Sequence, residues 1–273
     1  LIKLKQSNHF FIKEKYLRSL FNIDYFVSNN LCDYFSVNSK KIYIHHNLYD
    51  DPWVSRENEK KMCERLNKYD HILMSASFSL KRIKQTFEKY KIKAEPNFNE
   101  IGYAKLDYLI KNKTKTDKNS ILIAPTGIKG FPDLSMKEYI IPIIENLLNC
   151  TEYKVILRPH PSDKENVFFQ DIKKKFSNKN KFEYDTSNNY LDVYLKSKIM
   201  ITDLSGTAYT FAFLNLTPVI FISLSENKLK ELNYLNYDFF KDRDKIGEIL
   251  NNPNEIVMIK NKILNNYDKY RNE

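Results

Sequence analysis

The stretch Lys198-Ile199-Met200-Ile201-Thr202-Asp203-Leu204-Ser205-Gly206-Thr207 is the part of the sequence that decides the fold. It opens with an apolar run of strand length, passes through a turn of small and polar residues, and leads into helical spacing over 208–214. A buried strand followed directly by a helix is the repeating unit of parallel α/β sheets, whose helices cover both faces. The stretch therefore predicts an α/β fold.

The same alternation extends in both directions along the chain. Further apolar strands are predicted at 24–28, 41–46, 71–75, 121–125, 154–158 and 218–222, and further helices at 56–67, 79–91 and 163–176. Ser135 and Glu138 form a capping-box pattern for a helix that runs through Leu148. Pro142 is expected to kink that helix or to delay its start, because proline has no backbone N–H.

A polar stretch, residues 111–119, separates the elements into two series and has the composition of a linker. We expect two doubly wound, Rossmann-like domains that face a cleft, which is the GT-B-like arrangement. Residues 1–112 would be the acceptor-side domain and residues 118–273 the nucleotide-donor domain. The first series is short of strands and begins at Leu1 in a helical pattern. The N-terminal domain is therefore expected to be incomplete.

Charge and composition narrow the choice of partners. The 44 Lys and Arg against 34 Asp and Glu give a net charge of +10, which favours anionic ligands. No zinc-finger, RNP or Arg–aromatic pattern is present, so no nucleic-acid partner is expected. Three scattered cysteines and the lack of a membrane-length apolar run indicate a cytoplasmic protein in a reducing compartment. Peripheral contact with the inner face of the membrane is expected at most.

The turn at 203–207 is the first candidate site, since ligands of open α/β sheets bind at the carboxyl ends of strands. The exposed N–H groups at a helix start bind phosphate, and the hydroxyls of Ser205 and Thr207 can add to them. Gly206 allows close approach of the backbone, and Asp203 is a further candidate in the same turn. The same residues would also serve as ordinary helix caps.

Two histidine motifs are the candidates for catalysis. Arg158-Pro159-His160-Pro161 holds one imidazole between two prolines at a strand end, with a cation suited to phosphate beside it. His45 and His46 end an earlier strand, and only one of them can face a site there. We take His160 and one member of the pair His45 and His46 as the catalytic candidates. No carboxylate or thiol with ligand spacing lies nearby, so no metal or other cofactor is expected.

Five segments in collinear order, covering roughly residues 20 to 225, resemble the CDP-glycerol glycerophosphotransferase family of teichoic-acid and capsule polymerases. The segments and the family patterns they are similar to are residues 42–47 (a strand ending Trp-His-Gly), 99–107 (Gly-x-Pro-Arg-x-Asp), 121–126 (a strand ending Ala-Pro-Thr), 158–161 (Arg-x-His-Pro) and 203–221 (Asp-Tyr-Ser-Ser through Phe-Asp-Phe to Pro and an apolar run). This chain departs from the family at Asn47, Gly206 and Ala104-Lys105, which stand where the family has Gly, Ser and Pro-Arg.

The resemblance implies transfer of a polyol phosphate from a CDP-linked donor to a hydroxyl of a cell-surface polymer or lipid-linked acceptor. The acceptor would attack the β-phosphorus of the donor, with CMP leaving. His46 would be the base for the acceptor hydroxyl, and His160 and Arg158 would lie near the donor pyrophosphate. Ser205, Gly206 and Thr207 would hold phosphate.

Other functions remain open from the sequence. A GT-B glycosyltransferase of capsule or lipopolysaccharide synthesis could use the same phosphate turn with a nucleotide-sugar, and a nucleotide-sugar 2-epimerase shares the fold. A basic module that binds anionic polymer or membrane without catalysis is the third class. The absence of GxGxxG, GxxxxGK[ST] and GxSxG patterns counts against dehydrogenases, P-loop NTPases and α/β-hydrolases.

Overall fold

The computed structural model describes residues 24–32, 35, 38–48, 59–128, 134–223 and 226–272. The helical pattern predicted at the N-terminus and the first residues of the helix predicted at 56–67 lie outside these ranges. The chain forms two compact units, of which unit 1 is residues 1–46 with 57–102 and unit 2 is residues 47–56 with 103–273. The second boundary falls between Gly102 and Tyr103, ahead of the polar stretch 111–119.

Unit 1 is built on a four-stranded parallel sheet. Its elements in chain order are β1 (Tyr25–Ser28), β2 (Lys40–Ile44), α1 (Glu59–Leu66), β3 (His71–Met74), α2 (Ser77–Lys89) and β4 (Asn97–Glu100). The strands lie in the order β1-β2-β3-β4, so each strand pairs with its neighbour in sequence. Parallel strands need a crossover of a dozen or more residues, and α1 and α2 supply such crossovers on either side of β3.

Unit 2 is a larger doubly wound domain. Its elements are α3 (Ala104–Lys111), β5 (Ser120–Ile123), α4 (Ile140–Cys150), β6 (Lys154–Leu157), α5 (Val167–Phe176), β7 (Phe182–Tyr184), α6 (Leu191–Lys196), β8 (Ser197–Thr202), α7 (Thr207–Asn215), β9 (Val219–Ile222), α8 (Glu226–Glu231), α9 (Asp238–Lys241), β10 (Gly247–Leu250), α10 (Ile256–Asn265) and α11 (Tyr267–Asn272). The parallel sheet has the order β10-β9-β8-β5-β6-β7. Strand order therefore reverses between β5 and β8.

The two faces of this sheet bury two separate hydrophobic clusters. Along β5, Leu122 belongs to one cluster, whereas Ile121 and Ile123 belong to the other, as the two-residue period of a strand requires. Helices α3, α6 and α7 cover the first face, and α4, α5 and α10 cover the second. Both faces of the strands are thus apolar, which confirms the interpretation of the near-continuous hydrophobic runs.

Helix α3 belongs to unit 2 because its apolar side packs there. Leu109 is buried in the same cluster as residues of α7, and Leu106 packs against that cluster. The polar stretch that follows α3 is also tied to α7: the Lys113 and Lys118 ammonium groups donate to the carbonyls of Leu214 and Asn215 at 2.8 and 3.1 Å. Lysines at a helix C-terminus satisfy carbonyls that have no intrahelical partner.

The capping box predicted at Ser135 and Glu138 is wrong. Residues 137–139 form a 3₁₀ turn, α4 begins at Ile140, and no side chain caps either start. The expected delay by Pro142 is confirmed, since this residue lies in the first turn of α4, where a missing N–H breaks no helical bond. The helix predicted from residue 163 begins at Val167 instead, because the Asn166 side chain accepts the Phe168 N–H at 3.0 Å and caps it there.

A substitution at Gly247 tests the pairing of β9 with β10. It lies opposite Val219, and a Cβ on Gly247 would come within 1.8 Å of the Val219 carbonyl oxygen. We expect Gly247→Ala to lower the free energy of unfolding by about 3 kcal/mol, because the two backbones must separate. Asn251→Ala, an exposed change just after the same strand, is the control and should leave urea unfolding unchanged. Equal stability of the two variants would contradict this strand order.

Candidate functional site at the carboxyl edge of the second sheet

The candidate site of unit 2 lies where β8, β5 and β6 end side by side. The turn at 203–206 follows β8, Thr126 and Gly127 follow β5, and His160 follows β6. Because β5 lies between the other two strands and all three are parallel, these loops emerge at one edge of the sheet. Strand order reverses at β5 and β8, and this is the position at which open α/β sheets bind ligands.

Asp203 organises this edge from within. Its side chain is buried, with Oδ1 accepting the N–H groups of Thr126 and Leu204 at 2.7 and 2.8 Å and Oδ2 accepting that of Met136 at 2.8 Å. Burial raises the pKa of this carboxyl above its usual range, and the backbone donors oppose that rise. The structure therefore assigns Asp203 to holding three loop segments together, with both oxygens turned toward backbone.

The turn 205–207 places three half-buried residues at the start of α7. Gly206 is the N-cap residue and no side chain caps the helix, so the first N–H groups have no side-chain acceptor there. The Thr207 hydroxyl forms a hydrogen bond with the Tyr194 hydroxyl, whose pKa burial raises, so that Tyr194 stays protonated. The Ser205 hydroxyl and the helix N–H groups can therefore bind an anion, while Thr207 is held by Tyr194.

His160 has a defined tautomer. Its Nδ1 accepts the Ser162 N–H at 3.2 Å and lies 2.7 Å from the Ser162 hydroxyl. An imidazole nitrogen that accepts a backbone N–H carries no proton, so the neutral ring has its proton on Nε2. Partial burial of the ring lowers its pKa, against the opposing charge of Asp163. His160 thus offers a hydrogen-bond donor at Nε2.

Gly127 brings the loop after β5 against this imidazole. A Cβ at position 127 would lie 3.3 Å from His160 Nδ1 and 3.6 Å from the Ser162 hydroxyl. The first distance is tighter than ordinary van der Waals contact, so a side chain here would press on the ring. Because Thr126 is bonded to Asp203, the loop that touches His160 is also bonded to the turn that starts α7.

The structure places Arg158 in an ion pair beside the site. Its guanidinium donates to the Asp185 carboxylate and to the Ser187 carbonyl, the latter at 2.8 Å, and both members of the ion pair are largely buried. These contacts occupy the forked N–H donors of the guanidinium, which the sequence had suggested would bind a phosphate. In this structure the guanidinium ties the end of β6 to the segment after β7.

Lys105 is a cation near the site that the sequence interpretation did not select. Its ammonium lies 4.8 Å from the centre of the Tyr190 ring, and Tyr190 packs on Tyr194 at 4.9 Å. Tyr194 is the residue that bonds Thr207 at the start of α7. The available signal was its position in the segment 99–107, where it stands at the place of the family's Arg.

The two adjacent histidines that follow β2, His45 and His46, differ in exposure and in hydrogen-bond partners. His45 is 4% exposed and its Nδ1 lies 3.3 Å from the Ser75 hydroxyl. Burial, with a smaller contribution from His46, lowers the pKa of His45 to about 3. His46 is exposed, and its Nδ1 lies 2.8 Å from the Asn29 carbonyl oxygen. A carbonyl can only accept, so Nδ1 carries the proton and Nε2 has a lone pair, the form suited to a base.

The described ranges contain neither a cluster of metal ligands nor a membrane-spanning helix. No group of three or more His, Cys, Asp or Glu side chains there could hold a metal ion. No helix in the same ranges is long and apolar enough to cross a membrane.

A doubly wound sheet with a helix start at its switch point places unit 2 in the class of open α/β domains, which bind ligands at that edge. Comparison with known families then identifies the particular family within this class. The profile of CDP-Glycerol:Poly(glycerophosphate) glycerophosphotransferase matches residues 5–273. The chain belongs to this family, and the resemblance inferred from the five segments is confirmed.

Individual relatives agree with this assignment. The teichoic acid poly(glycerol phosphate) polymerase of Bacillus spizizenii strain W23 is 27% identical over 207 residues, which are 69% of this chain and 50% of the relative. The chain therefore spans about half the length of this curated relative.

Solved structures share the fold at low sequence identity. The wall teichoic acid polymerase TagF matches with a TM-score of 0.57 and 19% identity over 91% of this chain and 65% of TagF. The UDP-GlcNAc 2-epimerase of Methanocaldococcus jannaschii matches with a TM-score of 0.51 and 11% identity over 84% of this chain and 64% of the epimerase. These likenesses support two parallel Rossmann-like sheets of the GT-B type.

His45 gives unit 1 a predictable acid sensitivity. A histidine of the unfolded chain takes up a proton near pH 6.5, whereas His45 in the folded protein does so near pH 3. Its contribution to stability is therefore present above pH 6.5 and is lost as the pH falls toward 3, by about 1.4 kcal/mol per pH unit. Urea unfolding between pH 4 and 7 should show a shallower pH dependence in His45→Gln than in the wild type. Asn97→Ala, an exposed change in β4 that removes no titratable group, should keep the wild-type slope.

Asp203→Asn tests the role of Asp203 in holding the loops. The amide places an NH₂ group where a carboxylate oxygen accepts backbone N–H groups, so at least one buried donor loses its acceptor. We expect a loss of about 2–3 kcal/mol in the free energy of unfolding. Asp117→Asn, at an exposed aspartate, is the matched control and should unfold like the wild type. Full stability of Asp203→Asn would show that the three N–H contacts carry little energy.

Proposed function

We propose that the chain transfers glycerol phosphate from CDP-glycerol to a hydroxyl of a growing, poly(glycerol phosphate)-like polymer or a lipid-linked acceptor. The acceptor oxygen forms a bond to the β-phosphorus, the bond from that phosphorus to the bridging oxygen breaks, and CMP leaves. Family membership supports this reaction class. A structure of TagF soaked with CDPG is among those that this chain resembles.

One observation carries the donor half of the proposal. The start of α7 and the Nε2–H of His160 lie at the same sheet edge, on either side of the loop after β5. Backbone N–H groups and a neutral imidazole donor together suit a pyrophosphate, whose oxygens are acceptors only. Ser205 and Gly206 would hold one phosphate and His160 would donate to the other, so that negative charge on the leaving CMP is stabilised.

A cation completes this donor site. Arg158 is paired with Asp185, so we assign the ionic contact to Lys105, whose ammonium is held by aromatic residues that reach Thr207. Lysine acts on phosphate as a compact point charge. Arg158 would then act indirectly by keeping the end of β6, and with it His160, in place.

His46 would serve as the base. The Asn29 carbonyl holds the proton on its Nδ1, so Nε2 can take the proton of the acceptor hydroxyl. The two histidines therefore have different proposed roles: His46 accepts a proton from the nucleophile, and His160 donates a hydrogen bond to the leaving group side.

The proposed location of the protein is the cytoplasm, with peripheral attachment to the inner face of the membrane. Lys173, Lys174 and Lys175 lie in the last turn of α5, whose apolar residues Phe169 and Ile172 are buried in the domain. These lysines are exposed and can contact anionic headgroups, Lys175 in exchange for its ion pair with Glu145. Each basic residue contributes about 1 kcal/mol near the surface. A lipid-linked acceptor would benefit from this placement.

Substitutions at the two histidines test the roles. A glutamine amide can replace an Nε2–H donor but cannot accept a proton at neutral pH. We therefore expect His160→Ala to lower kcat by at least about 100-fold and His160→Gln to recover part of that loss. His46→Ala and His46→Gln should be equally inactive. His71→Gln should retain activity.

The assay uses CDP-glycerol with a glycerol-phosphate oligomer as acceptor and detects the product by phosphorus NMR. A new phosphodiester with release of CMP supports the proposal. A glycosidic bond formed from a nucleotide-sugar, or no turnover by the wild type, would refute it. Raised thermal stability with CDP-glycerol, and no rise with UDP-GlcNAc, is the accompanying binding result.

A further inference from the structure

Asp163 is a fully buried carboxylate next to His160 that no step above uses. Its side chain has 0% exposure. Oδ2 accepts the Ile128 N–H at 2.7 Å, whereas Oδ1 is buried and has no hydrogen-bond partner among the described residues. A buried carboxylate with one oxygen unsatisfied is costly, since the desolvation of that oxygen is not compensated. Such a group calls for an explanation beyond packing.

The position of Asp163 connects it to His160 by two routes. Its backbone N–H donates to the His160 carbonyl at 2.8 Å, which closes the turn after β6. Its side chain fixes Ile128, and a Cβ on the preceding residue, Gly127, would lie 3.3 Å from the imidazole Nδ1. The exposed ring thus has Ser162, on its own turn, and a loop that Asp163 holds as neighbours.

The charges around His160 single out this residue. The loop after β5 presents Gly127 and Ile128, which do not ionise, and the Arg158 guanidinium is paired with Asp185. Within the described part of the chain, Asp163 is the ionisable group whose charge acts on His160, and it favours the protonated ring. Partial burial acts in the opposite direction, so the free protein keeps His160 neutral.

We propose that Asp163 is a positioning residue for His160: it holds the imidazole through the Gly127–Ile128 turn and supplies the buried negative charge against which the ring becomes imidazolium when an anionic donor binds. The added proton comes from solvent and enters at Nδ1. The Ser162 N–H then gives up Nδ1 as its acceptor, and the Ser162 hydroxyl, which both donates and accepts, turns to accept the new proton. Nε2–H remains directed at the donor, now as a charged and stronger hydrogen bond. This inference rests on the proposed function of His160.

Asp163→Asn separates charge from position. The amide oxygen can still accept the Ile128 N–H, and the amide nitrogen takes the place of the oxygen that has no partner. The loop contact is therefore kept and the charge is lost, whereas Asp163→Ala loses both. Asp171→Asn removes a carboxylate of the same type from the exposed face of α5 and is the matched control.

The first measurement needs no substrate. Histidine ¹⁵N NMR of the full chain, with His160 assigned by its absence in His160→Gln, gives the tautomer and the titration midpoint. We expect Asp163→Asn to keep the Nε2–H tautomer and to titrate about one pH unit or more below the wild type. Asp171→Asn should titrate like the wild type. An unchanged midpoint in a folded Asp163→Asn protein would overturn the proposal.

The second measurement tests the coupling to ligand. Calorimetric titration with CDP-glycerol in two buffers of different ionisation enthalpy should show proton uptake on binding near pH 7 by the wild type and by Asp171→Asn. Uptake should be lost in Asp163→Asn, and kcat should fall at least about tenfold with little change in KM. Uptake that persists in Asp163→Asn would refute the charge role. If CDP-glycerol does not bind to the wild type, the proposed function fails, while the NMR titration still decides the role of Asp163.

Discussion

The loop of residues 126–128 is held between two buried carboxylates, and the arrangement of the site depends on this constraint. Asp203, from the β8 side, accepts the Thr126 N–H, and Asp163, from the β6 side, accepts the Ile128 N–H. Gly127, between them, is thereby fixed against His160. Charge-assisted bonds to backbone N–H groups are among the stronger hydrogen bonds of proteins. They join the turn before α7 and the turn that carries His160 into one rigid unit.

The two candidate histidines show how backbone contacts can give one residue type two different tautomers. At His46 a carbonyl faces Nδ1, and at His160 an amide N–H faces Nδ1. A carbonyl requires a proton on that nitrogen, whereas an N–H excludes one. Consequently, Nε2 of His46 can accept a proton, and Nε2 of His160 can donate a hydrogen bond. Neither side chain needs an unusual partner to reach its form.

Much of the fold follows from the sequence, because the strands of a parallel sheet are apolar on both faces and give a continuous signal. The strands at 71–75, 121–125 and 198–202 were predicted to within a residue or two of their observed bounds. The position of the unit 2 candidate residues at one sheet edge also followed, since any residue just beyond such a strand lies at the carboxyl edge. The family resemblance added the order of the motifs and the reaction class.

The individual roles of the polar residues did not follow from the sequence. Asp163 looked like the first residue of a basic helix, and only the structure shows that Asn166 caps that helix and that Asp163 turns inward. Ser135 and Glu138 matched a capping box, yet the chain there forms a 3₁₀ turn. Arg158 stands at a strand end, and its partner Asp185 is 27 positions away. Sequence spacing reports local geometry, whereas these contacts form between distant segments.

The lysine contacts at the C-terminal end of α7 give the polar segment after α3 a structural role. Lys113 and Lys118, in the polar segment that follows α3, donate hydrogen bonds to the last carbonyls of this helix. The first amides of the helix lie at the candidate phosphate site. A segment with the composition of a flexible linker is therefore attached to α7 through Lys113 and Lys118. The segment thus not only joins α3 to β5 but also supplies the donors that satisfy the carboxyl end of α7.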